Sequence, residues 1–123
     1  MFMLTIQRFF EAAHRLPDSE FLTTKKCINL HGHTYHVVVD LQGFNDKMGM
    51  VVDFGLVKEV IDKYDHQFLN DLFGEIPTTA ENITFQIYKD LVKAVPNGVE
   101  IRRVKVAEGY KGPENTSYVV YTP

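Results

Sequence analysis

The segment CINLHGHTYHVVVDLQG, residues 27–43, contains the one cysteine of the chain and three of its five histidines, and then becomes apolar. Its second part, roughly residues 34–41, predicts a β-strand. Three consecutive valines place apolar side chains on both faces of this strand. Because two helices can cover only one face of a four-stranded sheet, we expect a second copy of the chain to cover the other face. The valines therefore predict a homo-oligomer.

Three other segments show strand patterns. In FMLTIQRFFEAAH, residues 2–14, apolar side chains alternate up to His14, although Arg8 interrupts the apolar face. The polar, charged segment that follows, residues 15–26, reads as a loop leading to Cys27. Near the other end, VEIRRVKVAE and SYVVY predict two more strands joined by the polar loop GYKGPENT.

Two helices are predicted between these pairs of strands. Asp53 can cap the first, whose apolar positions recur at helical spacing and which ends near Asp65 and His66. Thr78 and Glu81 have the spacing of a capping box, which predicts the start of the second helix. The order strand, strand, helix, helix, strand, strand predicts an α+β fold with a four-stranded antiparallel sheet and two helices on one face. We expect one domain over residues 1–123.

Composition excludes several classes of protein. The chain has 123 residues, 45% of them hydrophobic, and suits one modest core. Its net charge of −3, without a basic run longer than Lys25–Lys26, argues against a nucleic-acid partner. The first twenty residues carry charges and no long apolar run, so we expect neither a signal peptide nor a membrane span. A single cysteine fits a reducing compartment, and we expect a cytoplasmic protein.

The histidines are spaced like metal ligands. His31 and His33 project to the same side of an extended chain, and the glycine between them leaves room for close approach. His14 ends the first strand, which can bring it alongside them when the two strands pair. Three neutral imidazoles with one open position are typical of a catalytic zinc site, although iron, nickel or cobalt could bind the same ligands. An isolated His-x-His pair would more often belong to an ordinary half-exposed strand. His36 has the opposite parity to His33 and should face away from the other histidines.

Cys27 and the Asp65–His66 pair are candidates for proton transfer. A lone cysteine is often a buried apolar side chain, but a nearby cation lowers a thiol pKa and favours the thiolate. A carboxylate beside an imidazole can tune a proton donor or acceptor near neutral pH. The alternative for Asp65 and His66 is an ordinary helix terminus.

The motifs FEAAH, CINLHGHTYHVVV, GMVVDF, DHQFLN and PTTAEN, in this order and before a strand that ends at Glu108, resemble the family of 6-pyruvoyl- and 6-carboxy-tetrahydropterin synthases. The resemblance covers nearly the whole chain. It implies the tunnelling fold, in which subunits join their sheets into a barrel, commonly as a hexamer, with active sites between chains.

The resemblance also implies roles for individual residues. His14, His31 and His33 would bind Zn²⁺, Cys27 would be the base, and Asp65 with His66 would complete a proton relay. Glu108 would be a catalytic residue and would also anchor the pterin, since a carboxylate accepts paired N–H bonds from an aminopyrimidinone edge. Thr79 would contact the pterin or cap the second helix. The triphosphate would meet Arg15, Lys25 or Lys26, each of which could equally be a solvated charge.

The implied reaction starts from 7,8-dihydroneopterin triphosphate and needs no nicotinamide. Three residues separate Cys27 from His31, fewer than in the animal pyruvoyl enzymes, which favours the 6-carboxy-tetrahydropterin synthase of queuosine-type deazapurine synthesis. Gly109 follows Glu108 where the family usually has threonine, so pterin contacts on that side are expected to differ. A pyruvoyl-forming or related pterin lyase and a non-catalytic zinc- or pterin-binding oligomer are the alternatives.

Overall fold

The computed structural model describes all 123 residues and confirms the predicted α+β class, with two short elements added. The strands are β1 (Phe2–His14), β2 (His31–Gly43), β3 (Gln67–Phe68), β4 (Glu100–Glu108) and β5 (Tyr118–Tyr121). The helices are α1 (Phe54–Asp62), α2 (Leu69–Phe73) and α3 (Ala80–Ala94), and one 3-10 turn spans Lys26–Ile28.

The strands form one sheet in the order β3-β1-β2-β4-β5. The pairs β1–β2, β2–β4 and β4–β5 are antiparallel, as the sequence predicts. The sheet has one strand more than the four predicted, because β3 pairs parallel to β1 beside Ala12 and Ala13. A strand of two residues is too short to show an alternation of apolar and polar side chains, and neither it nor the five-residue α2 was predicted.

The core lies between one face of the sheet and the helices. On β2 every second side chain from Tyr35 to Leu41 is fully buried on this face. Helices α1 and α3 contribute the facing apolar side chains, which are Val57, Val60, Ile61, Ile83, Ile87 and Leu91. This arrangement follows from the strand period on one side and the helical period on the other.

The opposite face of the sheet is covered in part by the chain itself. Val38 points to that face, yet only 8% of it is exposed. Its cross-strand neighbours are Gln7 and Lys105, which lie on the same face; Oε1 of Gln7 is 2.9 Å from Nε2 of His36, and Nζ of Lys105 is 4.4 Å from the centroid of the Tyr118 ring. The three valines therefore do not by themselves require a second chain. The homo-oligomer remains a prediction.

The helix caps include one correction. Asp53 caps α1 as predicted, since its carboxylate accepts a hydrogen bond of 2.9 Å from the backbone N–H of Gly55. For α3 the prediction that Thr78 is the cap is wrong, because the hydroxyl of Thr79 accepts the bond of 3.2 Å from the N–H of Asn82. Thr78 instead lies inside the protein, where it meets a histidine.

Candidate metal centre and active site

Three histidines meet where β1 ends and β2 begins. The register pairs His14 directly with His31, and His33 lies two residues further along the same face. The ring centroids of His14 and His31 are 4.6 Å apart, and that of His33 lies 5.4 Å from His14 and 4.8 Å from His31. His14 is fully buried, whereas the other two are half-buried. The structure thus brings together the three predicted ligand residues.

Backbone carbonyls fix the orientation of two of these rings. Nδ1 of His14 lies 2.9 Å from the carbonyl oxygen of Thr78, and Nδ1 of His31 lies 2.7 Å from that of Asn29. A carbonyl can only accept, so in both rings Nδ1 carries the hydrogen and Nε2 keeps its lone pair. Burial lowers the pKa of His14 and favours this neutral form.

The free nitrogen atoms fit a metal ion. Nε2 of His14 and Nε2 of His33 are buried and have no hydrogen-bond partner. A buried ring nitrogen without a hydrogen-bond partner is costly in a folded protein, and coordination of a cation removes that cost. Hydrogen bonding of the opposite ring nitrogen to a carbonyl is the usual arrangement behind metal-binding imidazoles.

Glu108 lies in the same cluster. Its Oε1 is 3.3 Å from Nε2 of His33, and its Oε2 is 3.7 Å from Nε2 of His14. The donor atoms of His14, His31, His33 and Glu108 all lie within 4.8 Å of one another, so this group could bind a metal ion. Glu108 is predicted as a catalytic residue and as a pterin contact, and the structure shows that its carboxylate also borders the three imidazoles.

Asp65 and His66 form a pair that docks against β1. Asp65 accepts a bond of 2.8 Å from the N–H of Glu11 and one of 2.8 Å from Nδ1–H of His66. The hydrogen bond from Glu11, followed by that from His66, lowers the pKa of Asp65, and the carboxylate in turn raises the pKa of His66. The His66 side chain is 80% exposed, which leaves its Nε2 open to a substrate.

The backbone of His66 is unusual, because its φ of 57° makes it the one residue other than glycine with a positive φ. Left-handed backbone costs free energy in a non-glycine residue and persists where surrounding contacts hold it. Here the N–H of His66 donates to the carbonyl of Glu11 at 2.6 Å. His66 and His33 line the same open cleft of about 570 Å³, a size suited to a small ligand.

The remaining predicted site residues are less directly placed. Cys27 is half-buried on the 3-10 turn, where its carbonyl accepts a bond of 2.8 Å from the N–H of Leu16, but its thiol is not part of the four-residue cluster. Thr79 is half-buried and caps α3. Lys25 is exposed and paired with Asp18.

His36 turns away from the cluster, as its opposite parity predicts. Its Nδ1 lies 2.6 Å from the hydroxyl of Tyr118, and its Nε2 lies 2.9 Å from Oε1 of Gln7. Both nitrogens have partners, so this histidine is not available to a metal ion.

Two residues near the centre were missed by the sequence argument. Thr78 contacts the His14 ring, and its position in PTTAEN was read only as a helix cap. Tyr35 is fully buried with its ring centroid 5.8 Å from that of His33, and its hydroxyl has no hydrogen-bond partner. Burial raises the pKa of Tyr35, so the phenol stays protonated and can donate. Tyr35 follows HGH with the parity of the histidines, which is the signal that could have identified it.

No helix in this fold has the length and apolar character that crossing a membrane requires.

Similar proteins agree with this architecture. The family described as 6-pyruvoyl tetrahydropterin synthase matches residues 3–121. A protein of Archaeoglobus fulgidus, provisionally named 6-carboxy-5,6,7,8-tetrahydropterin synthase, is 40% identical over 110 residues, which is 86% of this chain and 87% of that protein. The dihydroneopterin monophosphate aldolase of Pyrococcus furiosus is 36% identical over 104 residues, 81% of this chain and 83% of the aldolase.

Solved structures confirm the fold. The 6-pyruvoyl tetrahydropterin synthase of Caenorhabditis elegans superposes with a TM-score of 0.69 at 30% identity, covering 100% of this chain and 97% of the nematode protein. The subunit architecture of the tunnelling fold, which the motifs imply, is therefore confirmed for the chain, while the joining of subunits into a barrel remains a prediction. From the match over residues 3–121 and from these relatives, we conclude that the chain belongs to the 6-pyruvoyl tetrahydropterin synthase family.

Proposed function

We propose that this protein is a zinc-dependent lyase that converts 7,8-dihydroneopterin triphosphate and one water molecule to 6-carboxy-5,6,7,8-tetrahydropterin, acetaldehyde and triphosphate. This reaction would supply the synthesis of queuosine and related 7-deazapurines. The observation that carries the proposal is the cluster of three histidines, each offering a ring nitrogen within 4.8 Å of the others, beside a cleft lined by His33 and His66. Family membership supports a pterin substrate, and the Archaeoglobus relative supports the carboxy-forming reaction.

We assign the metal to His14, His31 and His33. Three neutral imidazoles suit zinc and leave a coordination position for substrate. When bound there, zinc would act as a Lewis acid on the side-chain hydroxyls of the substrate and make the adjacent C–H more acidic. Glu108 would accept the N–H groups of the pterin edge, as in the family, and its carboxylate would help to keep the cluster electrically balanced.

Proton transfer is assigned to Cys27 and His66. The Cys27 thiolate would take a proton from the substrate carbon that carries a hydroxyl group, and His66 would return a proton to the reacting substrate. The raised pKa of His66 suits this donor role, because more of the imidazole is protonated near neutral pH than for a free histidine. Asp65 orients the ring through its bond of 2.8 Å to Nδ1 and leaves Nε2 toward solvent.

The proposed enzyme is a single-domain, cytoplasmic homo-oligomer, a hexamer by family resemblance. The high exposure of the His66 side chain supports a site completed by a neighbouring chain. Thr79 is proposed to contact the pterin while it caps α3, and the exposed cations Arg15, Lys25 and Lys26 are proposed to attract the triphosphate.

A second candidate is another pterin side-chain lyase with the same metal and base. It is favoured by the 36% identity to a dihydroneopterin monophosphate aldolase and by the structural similarity to a pyruvoyl-forming synthase. A non-catalytic zinc- or pterin-binding oligomer is the third, and it gives no reason for Cys27, the Asp65–His66 pair and Glu108 to occur together.

The test begins with protein purified without added metal. We expect elemental analysis to give close to one zinc per chain, consumption of 7,8-dihydroneopterin triphosphate to stop after chelation, and activity to return with zinc. Substrate consumption that persists in fully metal-free protein would contradict the metal assignment. Zinc at one per chain with no consumption of any dihydroneopterin phosphate would support the binding protein instead.

A further inference from the structure

We infer that Thr78 is a positioning residue of the metal centre, whose hydroxyl and carbonyl together hold the His14 ring in the tautomer that binds the ion. The inference rests on the proposed metal site and goes beyond its three ligands. Thr78 immediately precedes the cap of α3, so it also links the start of that helix to the end of β1.

Two oxygen atoms of Thr78 lie within hydrogen-bond distance of the same ring nitrogen of His14. Nδ1 of His14 lies 2.9 Å from the carbonyl oxygen and 3.1 Å from Oγ1. The carbonyl can only accept, so Nδ1 must carry the hydrogen, and that N–H can be shared between the two oxygens. Nε2, on the other side of the ring, is then left as the lone-pair donor and has no partner of its own.

The direction of the Thr78 hydroxyl hydrogen is fixed by a second hydrogen bond. Its Oγ1 donates at 3.3 Å to the carbonyl oxygen of Arg15, the residue after His14. With its own hydrogen committed to Arg15, the oxygen presents lone pairs to Nδ1–H. The side chain of Asn70 holds the backbone of Arg15 from another side, with bonds of 3.0 and 2.9 Å. Thr78 therefore fixes two consecutive residues at the end of β1.

A purely structural role for Thr78 does not account for the direction of its hydroxyl. Thr78 is fully buried, yet it is not the cap of α3, since Thr79 makes that bond. Thr84 is also fully buried, but its hydroxyl donates within α3, to the carbonyl of Ala80 at 2.6 Å. Thr78 lies before α3 and directs its hydroxyl to the end of the strand that carries a proposed ligand. Groups in this position behind a metal-binding imidazole typically raise metal affinity 10- to 100-fold.

The experiment compares wild type with Thr78→Val, Thr78→Ser and the control Thr84→Val. Thr84→Val likewise removes a buried hydroxyl, in this case from within α3, but leaves His14 untouched. Zinc affinity is measured by competition with a chromophoric chelator, which does not depend on turnover. We expect Thr78→Val to bind zinc about 10-fold or more weakly, while Thr78→Ser and Thr84→Val stay within about 3-fold of wild type.

A second readout reports the tautomer. In ¹⁵N-labelled, zinc-loaded protein, we expect the Nδ1–H resonance of His14 to be visible and slow to exchange in wild type and Thr78→Ser, and broadened or shifted in Thr78→Val. If Thr78→Val does not fold, Thr78→Ala takes its place. Equal zinc affinity and an unchanged His14 resonance in the folded variant would overturn the inference. Absence of zinc binding in wild type would instead overturn the metal site on which it depends.

Discussion

Removing one imidazole from the cluster should remove most of the stabilisation that zinc gives the fold. His33 is the suitable position, because its Nε2 is buried without a partner and its side chain is still 25% exposed, so a smaller residue leaves little buried void. The perturbation is His33→Ala, and the quantity measured is the shift in melting temperature on adding zinc.

The magnitude follows from linkage and chain length. An ion present at 100 times its dissociation constant stabilises the folded state by about 2.7 kcal/mol. For 123 residues, at about 2.1 cal/mol/K per residue, the unfolding entropy is about 0.26 kcal/mol/K, so wild type should melt about 10 °C higher with zinc. If His33→Ala weakens binding about 100-fold, the same zinc concentration gives about 0.4 kcal/mol and a shift near 2 °C.

Differential scanning fluorimetry with and without zinc provides the assay, and His36→Ala is the matched control. His36 lies on the same strand but on the other face, and both of its nitrogens are already bonded. This control should melt at a lower temperature without zinc yet keep the full shift of about 10 °C. A His33→Ala variant that keeps the full shift would refute the cluster as the binding site.

Three other perturbations test separate parts of the account. Cys27→Ala should keep its zinc by elemental analysis and lose turnover about 100-fold or more, and unchanged turnover would remove the assignment of Cys27 as base. In a histidine NMR titration, His66 should have a pKa above 6.5, and this pKa should return toward 6.5 in Asp65→Asn. Because the pKa of His66 is raised in the folded state, its pairing with Asp65 contributes its full stabilisation below pH 6.5. That stabilisation is lost as the pH rises through the raised pKa. Leu91→Ala, which removes a fully buried side chain, should cost about 2–5 kcal/mol in urea unfolding, whereas Val92→Ala, 47% exposed, should change stability by about 0.5 kcal/mol at most.

Local periodicity was sufficient to predict the arrangement of the three histidines. His31 and His33 share a face because strand side chains alternate, and His14 joins them because the two long strands are neighbours that pair antiparallel. The helices were equally readable, because apolar side chains recurred at helical spacing after residues that can cap. These features depend on short stretches of chain and on pairing between consecutive strands.

Features that depend on long-range register were not readable. Glu108 borders the histidines because β4 pairs with β2 so that Glu108 lies opposite Tyr35, and nothing near Glu108 in the sequence states that pairing. Thr78 and Thr79 are chemically alike as caps. Only the buried ring of His14, sixty-four residues earlier, decides which of them turns inward.

Two further features were missed for other physical reasons. The left-handed backbone of His66 has no glycine or asparagine to signal it, and it is held by a hydrogen bond to the distant Glu11. The valines of β2 were read as requiring a partner chain, although neighbouring side chains already bury Val38. Sequence patterns report which faces are apolar, but they do not report how much of a face long polar side chains can cover.

The most direct test of the central claim is mass spectrometry of the products that the purified, zinc-loaded protein forms from 7,8-dihydroneopterin triphosphate, with 7,8-dihydroneopterin monophosphate run in parallel. The account predicts 6-carboxy-tetrahydropterin and acetaldehyde from the triphosphate, and loss of both when a chelator removes the metal. A pyruvoyl or hydroxymethyl pterin as the main product, or conversion of the monophosphate alone, would contradict the proposed reaction.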